Sequence, residues 1–447
     1  MATLADRLDR LDTIAVLMLE NRSFDHLLGA LSLPGGPWPD VDGLRADPAF
    51  LERFSNSGVA PLPWGSRPFA RSHDLPPHER EAVALQMANV SGLGPMTGFV
   101  EAYRRQAGAH DGLLDEPMVW LGPAEAPVTH FLAARHAVCD RWFSSLPAST
   151  QPNRLMALSG ETFRDRTNEG AGELLRHQRL VFDWLDAHDP PVRWRVYHDG
   201  FPFLVLMPSQ HERILAGPYR RLSRLAEDVA REPDATFPQV LFLEPSFSGV
   251  GGHANDNHPP HPLAFGEALL RQVYRALSGN PRRWARTLLV VTYDEHGGFF
   301  DHVEPPAVPT PRPPVADRDH GEPFRTLGVR VPALAVSPLV AAGACHALFD
   351  HTSILQLIAE RFSLRERALP ALDRRTADGR RVESLSALPA ADAPSTTHDV
   401  PPEVALPPPV EVDRPVPEAH VEAALELWHH DPARAAERFP ELVTPLF

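Results

Sequence analysis

The sequence predicts an α/β fold, a three-layer sandwich around a largely parallel central sheet, and three observations carry the prediction. Short apolar runs rich in β-branched residues recur along the chain, runs of helical spacing lie between them, and the two alternate. TIAVLML (13–19) is the first expected strand. VRWRVYH (192–198), QVLFLEP (239–245), TLLVVTY (287–293) and VPALAVSPLV (331–340) follow, each reading as a buried strand. Helical patterns begin at TQPNRLMALSG and cover HPLAFGEALLRQVYRALSGN and HTSILQLIAERFSL. Residues 303–323, VEPPAVPTPRPPVADRDHGEP, are too rich in proline for regular structure and are expected as a long surface loop. From about Ser384 to Val416 the composition becomes that of a Pro/Ala-rich linker. The run EAHVEAALELWHHDPARAAERF is expected to be a last helix packed back on the body. The expected organisation is one domain over residues 10–365, followed over 366–447 by a linker and a C-terminal helical appendage.

Composition narrows the function classes. The 447 residues are 43% hydrophobic and 23% charged, as in a globular protein. The 49 prolines are about twice the usual share and point to long, shaped loops. The chain has no lysine, so all 43 basic residues are arginine. That excludes a phosphate-loop lysine, a Schiff base and a serine–lysine dyad. A net charge of −15 and a pI near 5.8 argue against a nucleic-acid partner, which needs a basic face. Cys139 and Cys345 are too few for a disulfide framework and lack zinc-site spacing. No apolar run reaches the roughly 18 residues of a membrane span. The first apolar run leads directly into ENRSFDH and does not read as a signal peptide, so the chain as given is expected in the cytoplasm, or secreted if a leader precedes it.

The chemistry gathers at strand ends. TLLVVTY stops on adjacent carboxylates, Asp294 and Glu295, and TIAVLML stops on Glu20 and Asn21. Carboxylates at the end of a buried strand are costly unless something cationic meets them. In open α/β sheets, ligands sit at those carboxyl ends. A metal, a substrate or an arginine would each serve. Oxygen-rich pairs suit hard or borderline divalent ions. In SLPASTQPNRLMALSG, Thr150 stands where an N-cap belongs, with Pro152 in the first turn. A hydroxyl there is either a plain cap or a nucleophile held against a phosphate at a helix N-terminus. As a nucleophile, threonine needs a metal or base to lower its pKa. His253, Asp256, His258 and His261 crowd the loop after QVLFLEP, and His258, stiffened by the prolines of NDNHPP, is the favoured candidate. His73, His78 and His198 are further candidates for binding phosphate oxygens or protonating a leaving group.

Six blocks in order resemble a family of bacterial phosphoesterases that includes the phosphatidylcholine-type phospholipases C and a group of acid phosphatases. They are LENRSFDHLLG (19–29), HDLPPH with GPMTGFV (73–100), AVCDRWFSSLPASTQPNRLMALSG (137–160), LEPSF with NDNHPP (243–260), TYDEHGGFFDHV (292–303) and DHTSILQLIAERF (350–362). The resemblance implies an alkaline-phosphatase-like fold and a phosphate-ester hydrolase with one divalent metal ion. Glu20, Asn21, Asp294 and Glu295 would be its ligands together with Thr150, the nucleophile. His73, His198 and His258 would line the phosphate pocket, with His198 and His258 in catalysis and His73 and Asn153 binding substrate. His302 also matches a family position and is expected to support its loop.

This chain departs from the family at several points. Ala148 and Ser149 replace the usual Gly-Pro, which makes Ser149 a rival hydroxyl, although Thr150 keeps the spacing to PNR. His296 stands where a smaller residue or proline is typical. The large C-terminal extension of the classical phospholipases gives way to about 80 residues, which leaves lipid specificity open. A phospholipase C-type phosphodiesterase acting on a small-molecule or lipid ester is the first reading, and a monoester phosphatase the second. A non-catalytic phosphate-binding protein is disfavoured because every implied ligand is present.

Overall fold

The computed structural model describes residues 2–64, 75–106, 114–162, 175, 177–247, 254–308, 324–364, 375–377, 379–392 and 399–407. Its centre is an eight-stranded sheet. In chain order the strands are β1 (Thr13–Leu19), β2 (Ala137–Cys139), β3 (Trp194–His198), β4 (Tyr219–Arg221), β5 (Val240–Glu244), β6 (Thr287–Tyr293), β7 (Ala333–Val336) and β8 (Gly343–Cys345). Across the sheet they run β8-β2-β7-β6-β1-β5-β3-β4. All neighbours are parallel except β7, which is antiparallel to both β2 and β6.

β1 and β6 keep the bounds expected from sequence because both lie at the sheet's centre, buried at every position. A strand covered on both faces is written as an unbroken apolar run. β2, β4 and β8 were not expected: each is three residues long, too short to show a period. β7 occupies only the middle of VPALAVSPLV and reverses direction. The β8–β2 register sets Cys345 directly opposite Cys139, both buried.

Helices cover both faces. α4 (Leu263–Ser278) packs on α1 (Pro127–Ala133) and α3 (Leu225–Arg231), and α2 (Thr150–Ser159) packs on α5 (Thr352–Phe362). α1 follows Ala126, which has no side chain to cap it. Glu267 of α4 takes that role, accepting from the Val128 and Thr129 amides at 2.6 and 3.0 Å. Burial, opposed by those bonds, pushes the Glu267 carboxyl up to about 7.

The stretch expected as a linker is partly structural. Leu385 and Leu388 are buried in the main core, Leu4 donates its amide to the Leu388 carbonyl at 2.8 Å, and Thr3 bridges Pro389. Proline-rich composition hid two apolar anchors three residues apart. The expected final helix lies outside the described residues, as does 309–323 of the expected loop. No described helix is long and apolar enough to cross a membrane.

Candidate active site

Register builds the site. Leu19 and Tyr293 are partners at the ends of β1 and β6, so Glu20–Asn21 and Asp294–Glu295 leave neighbouring strands at the same level. On the other side of β1, β5 and β3 end on Glu244 and His198, which are also partners. Asn21 takes a left-handed conformation, φ 60°, that carries its amide onto Asp294 Oδ1 at 3.1 Å. Glu295 N–H donates to the same oxygen at 2.7 Å, and Gly297 N–H to Glu295 Oε2 at 2.7 Å. Gly297, φ 63°, packs so closely that a Cβ would lie 2.3 Å from the Asn21 carbonyl oxygen. The glycines after DEH therefore allow the two ligand pairs to approach.

Three buried acceptors of this frame, Asn21 Oδ1, Asp294 Oδ2 and Glu295 Oε1, have no hydrogen-bond partner among the described residues. Orphaned buried oxygens on two carboxylates and an amide are a costly arrangement unless a cation meets them. An all-oxygen set of this kind fits a hard divalent ion. Burial and the Glu295 charge push the Asp294 carboxyl up to about 6 against the pull of Arg154. Burial also works against Glu295, but His78, His296 and the Gly297 amide hold its pKa below the usual value.

An arginine is present as well. Arg154, one turn along α2 from Thr150, reaches Glu20 Oε1 with Nη2 at 3.1 Å and stands 3.5 Å from Asp294 Oδ2 with Nε. It is buried, 3% exposed, and lies over the Phe247 ring at 4.7 Å. Of the groups that could meet these carboxylates, the arginine is supplied by the chain itself.

The tightest acidic cluster lies elsewhere. Asp25, Asp301 and His302 have ligand atoms all within 4.8 Å of one another, a closeness that Glu20, Asp294 and Glu295 do not share. Arg330 fills that cluster, with Nη2 on Asp25 Oδ1 at 3.1 Å and Nε on Asp301 Oδ1 at 2.9 Å. His302 Nδ1 and Nε2 reach Asp25 Oδ2 at 2.7 Å and Asp42 Oδ1 at 3.2 Å. Burial opposes the His302 imidazolium, yet Asp25 and Asp42 outweigh it and push its pKa up to about 9. With both cations supplied by the chain, this is an ion-pair network that ties the 294–303 loop to the Asp25 segment.

At the start of α2 the cap is Ser149, not Thr150 as expected; Thr150 is the first helical residue and is 9% exposed. The Ser149 hydroxyl makes no capping bond and instead donates to the His78 carbonyl at 3.4 Å. Asn153 faces the loop rather than the pocket. Its Oδ1 accepts from Leu146 N–H at 2.9 Å, and its Nδ2 lies 3.1, 2.9 and 3.1 Å from the Leu146, Ala148 and Ser149 carbonyls. Those bonds position the hydroxyls and leave the amide little for a substrate.

Among the histidines, His198 ends β3 with Nδ1 on the Gly200 carbonyl at 2.7 Å. His258 donates its backbone N–H to Asp256 Oδ1 at 3.0 Å, and burial drives its pKa down to about 4. His73 lies outside the described residues. His78 is brought into the site: Nδ1 donates to the Pro76 carbonyl at 3.0 Å, and Nε2 lies 3.4 Å from Asn21 Nδ2 and 3.9 Å from Glu295 Oε1. His351 went unassigned from sequence. It donates Nε2–H to the Asp294 carbonyl at 2.7 Å and accepts from Trp142 Nε1 at 3.2 Å. The signals for these residues were an arginine inside an apolar helix face and a histidine before α5, but each needs its distant partner to be read.

The model of the "Phosphoesterase family" matches residues 11–365. Non-specific phospholipase C6 of Arabidopsis thaliana is 33% identical over 420 residues, 87% of this chain and 75% of that protein. Phospholipase C A of Mycobacterium tuberculosis is 30% identical over 79% of this chain and 73% of its own length. Non-hemolytic phospholipase C of Burkholderia pseudomallei is 28% identical over 78% of this chain and 55% of its own length. A solved protein of the alkaline phosphatase superfamily from Vibrio parahaemolyticus superposes on 54% of this chain and 62% of that one, with 7% identity and a TM-score of 0.31. The family model spans residues 11–365 and the phospholipase C relatives align over most of the sequence, so the chain belongs to the phosphoesterase family and is a hydrolase of phosphate-ester bonds.

Proposed function

We propose that this protein is a phospholipase C-type phosphodiesterase that uses Thr150 as nucleophile and one divalent metal ion. The observation that carries the reading is the set of three orphaned buried oxygens, Asn21 Oδ1, Asp294 Oδ2 and Glu295 Oε1, beside the strand end that bears Glu20. Glu20, Asn21, Asp294, Glu295 and the Thr150 hydroxyl would hold the ion. When bound, it supplies positive charge that lowers the pKa of a hydroxyl and stabilises phosphate oxygens.

The chain's own groups do the rest. Thr150 Oγ1 attacks phosphorus in line, the P–O bond to the alcohol breaks, and a phosphothreonine forms. His258 is buried and held neutral with Nδ1–H donating to the Pro259 carbonyl, which leaves a bare Nε2 that can accept a proton. His198, with Nδ1 held by the Gly200 carbonyl, presents Nε2 in the same way, and one of the two takes the Thr150 Oγ1 proton and passes it to the leaving alcohol. Water then hydrolyses the phosphothreonine. The backbone N–H groups opening α2 favour the negative charge that builds on phosphate.

Release of p-nitrophenolate from p-nitrophenyl phosphorylcholine and from p-nitrophenyl phosphate, compared over about pH 5 to 8, tests the reading. A preference for the diester is expected, and the names of the phospholipase C relatives support it. A preference for the monoester would make the protein a phosphatase with the same ligands. Thr150→Ala is expected to lower kcat on the order of a thousandfold with the fold retained. Survival of activity would pass the nucleophile's role to Ser149 or water.

A further inference from the structure

We propose that Cys139 and Cys345 form a redox-active dithiol, which a small-molecule disulfide of the glutathione type converts to an intramolecular disulfide stapling β8 to β2. These are the only cysteines in the chain. The parallel register places them directly opposite each other, so their Cβ atoms project to the same face. Neighbouring strands lie about 4.8 Å apart. That spacing falls inside the roughly 4.4–6.8 Å Cα separation that a disulfide spans.

Their surroundings separate the two thiols. Cys139 is 0% exposed on an interior strand, whereas Cys345 is 4% exposed on the last strand of the sheet, next to exposed His346. The Cys139 thiol donates to the Cys345 sulfur, which holds Cys345 below the usual thiol range while the Cys139 thiol is pushed well above it. Cys345, on the edge strand and the less enclosed of the two, is the attacking thiol and Cys139 the resolving one. The Cys345 thiolate attacks one sulfur of the oxidant and expels the other as a thiolate. Cys139, on losing its proton, attacks the Cys345 sulfur and expels the second. Two protein thiols lose two protons and two electrons, and the oxidant leaves as two thiols.

The staple would close one end of a longer ladder. Asp140 N–H donates to the Cys345 carbonyl at 3.3 Å, Phe349 N–H to Arg141 at 3.0 Å, and Phe143 N–H to Phe349 at 3.0 Å. The far end carries Trp142 to His351, and His351 to Asp294. The inference stands on this pairing alone and not on the catalytic assignment.

The native full-length protein is incubated with excess oxidised glutathione, quenched with acid, unfolded, and assayed for free thiols and intact mass. The expected result is loss of both thiols, a mass lower by two hydrogens with no glutathione retained, and a Tm raised on the order of 5 °C. Cys139→Ser is expected to retain one glutathione on Cys345 with no such gain, and Cys345→Ala to stay reduced at Cys139. Two free thiols in the treated wild type, or a lasting adduct on Cys345 beside a free Cys139, would overturn the proposal. So would oxidation of Cys139 in Cys345→Ala, which would deny Cys345 the first attack.

Discussion

At Asp294 the two carboxylate oxygens have different duties. Oδ1 is committed to the Asn21 and Glu295 amides and fixes the turn, while Oδ2 faces Arg154 and has no hydrogen bond. Arg154 is thus the counter-charge the chain supplies to Glu20 and Asp294. Arg154→Met keeps most of the buried stem but removes that charge. It is expected to destabilise the metal-free protein by about 3–5 kcal/mol, since it leaves buried carboxylates unpaired. Urea denaturation in chelator measures this, with added divalent cation expected to restore part of the loss; no loss in chelator would mean the carboxylates are neutral there.

His302 makes a second prediction at the same scale. Its folded-state pKa of about 9 lies above the ordinary 6.5, so folding favours the imidazolium. The stability it contributes is complete below about pH 6.5 and is lost as pH rises through 9, up to about 3 kcal/mol. The stability difference between wild type and His302→Gln should therefore shrink across that interval. A difference independent of pH would show that the network holds a neutral ring.

Among elements, the informative ones are those whose composition and structure disagree. Residues 384–392 read as the start of a linker, yet Leu385 and Leu388 are fully buried against the main core. Leu388→Ala is expected to cost about 2–5 kcal/mol, the range for a buried leucine. A cost under about 0.5 kcal/mol, as for a surface site, would show that the segment detaches. β2 and β8 tell the same story in the sheet. Three residues carry no readable period, and their partners, not their sequence, make them strands. α1 likewise borrows its cap from Glu267 on another helix, where a local capping residue would have been legible.

For the whole molecule, the proposed site would couple stability to metal through Glu20, Asn21, Asp294 and Glu295. These residues come from the ends of β1 and β6 at the sheet's centre, so the folded protein would offer the ion a site the unfolded chain lacks. Removing divalent metal with excess chelator is expected to lower Tm, by about 4 kcal/mol of stabilisation lost if the ion is held a thousandfold below its free concentration. A Tm indifferent to chelator and to added metal would leave the charge balance of the site to the chain's own groups, Arg154 foremost among the described residues.

The sequence by itself determined the central strands, the two polar pairs that end them and the order of the motif blocks. These are local facts: a buried parallel strand must be apolar throughout, and chemistry follows where it stops. Only the tertiary structure decided what those residues meet. It set Arg154 between Glu20 and Asp294, His351 under the Asp294 carbonyl, Asn153 in the loop instead of the pocket, and Cys139 beside Cys345. Each of these pairings except that of Asn153 joins segments far apart in the chain, brought together by sheet register and helix packing. Asn153 is the local exception, its amide bonded to the nearby backbone of Leu146, Ala148 and Ser149 along a loop path that the residue's identity alone does not announce.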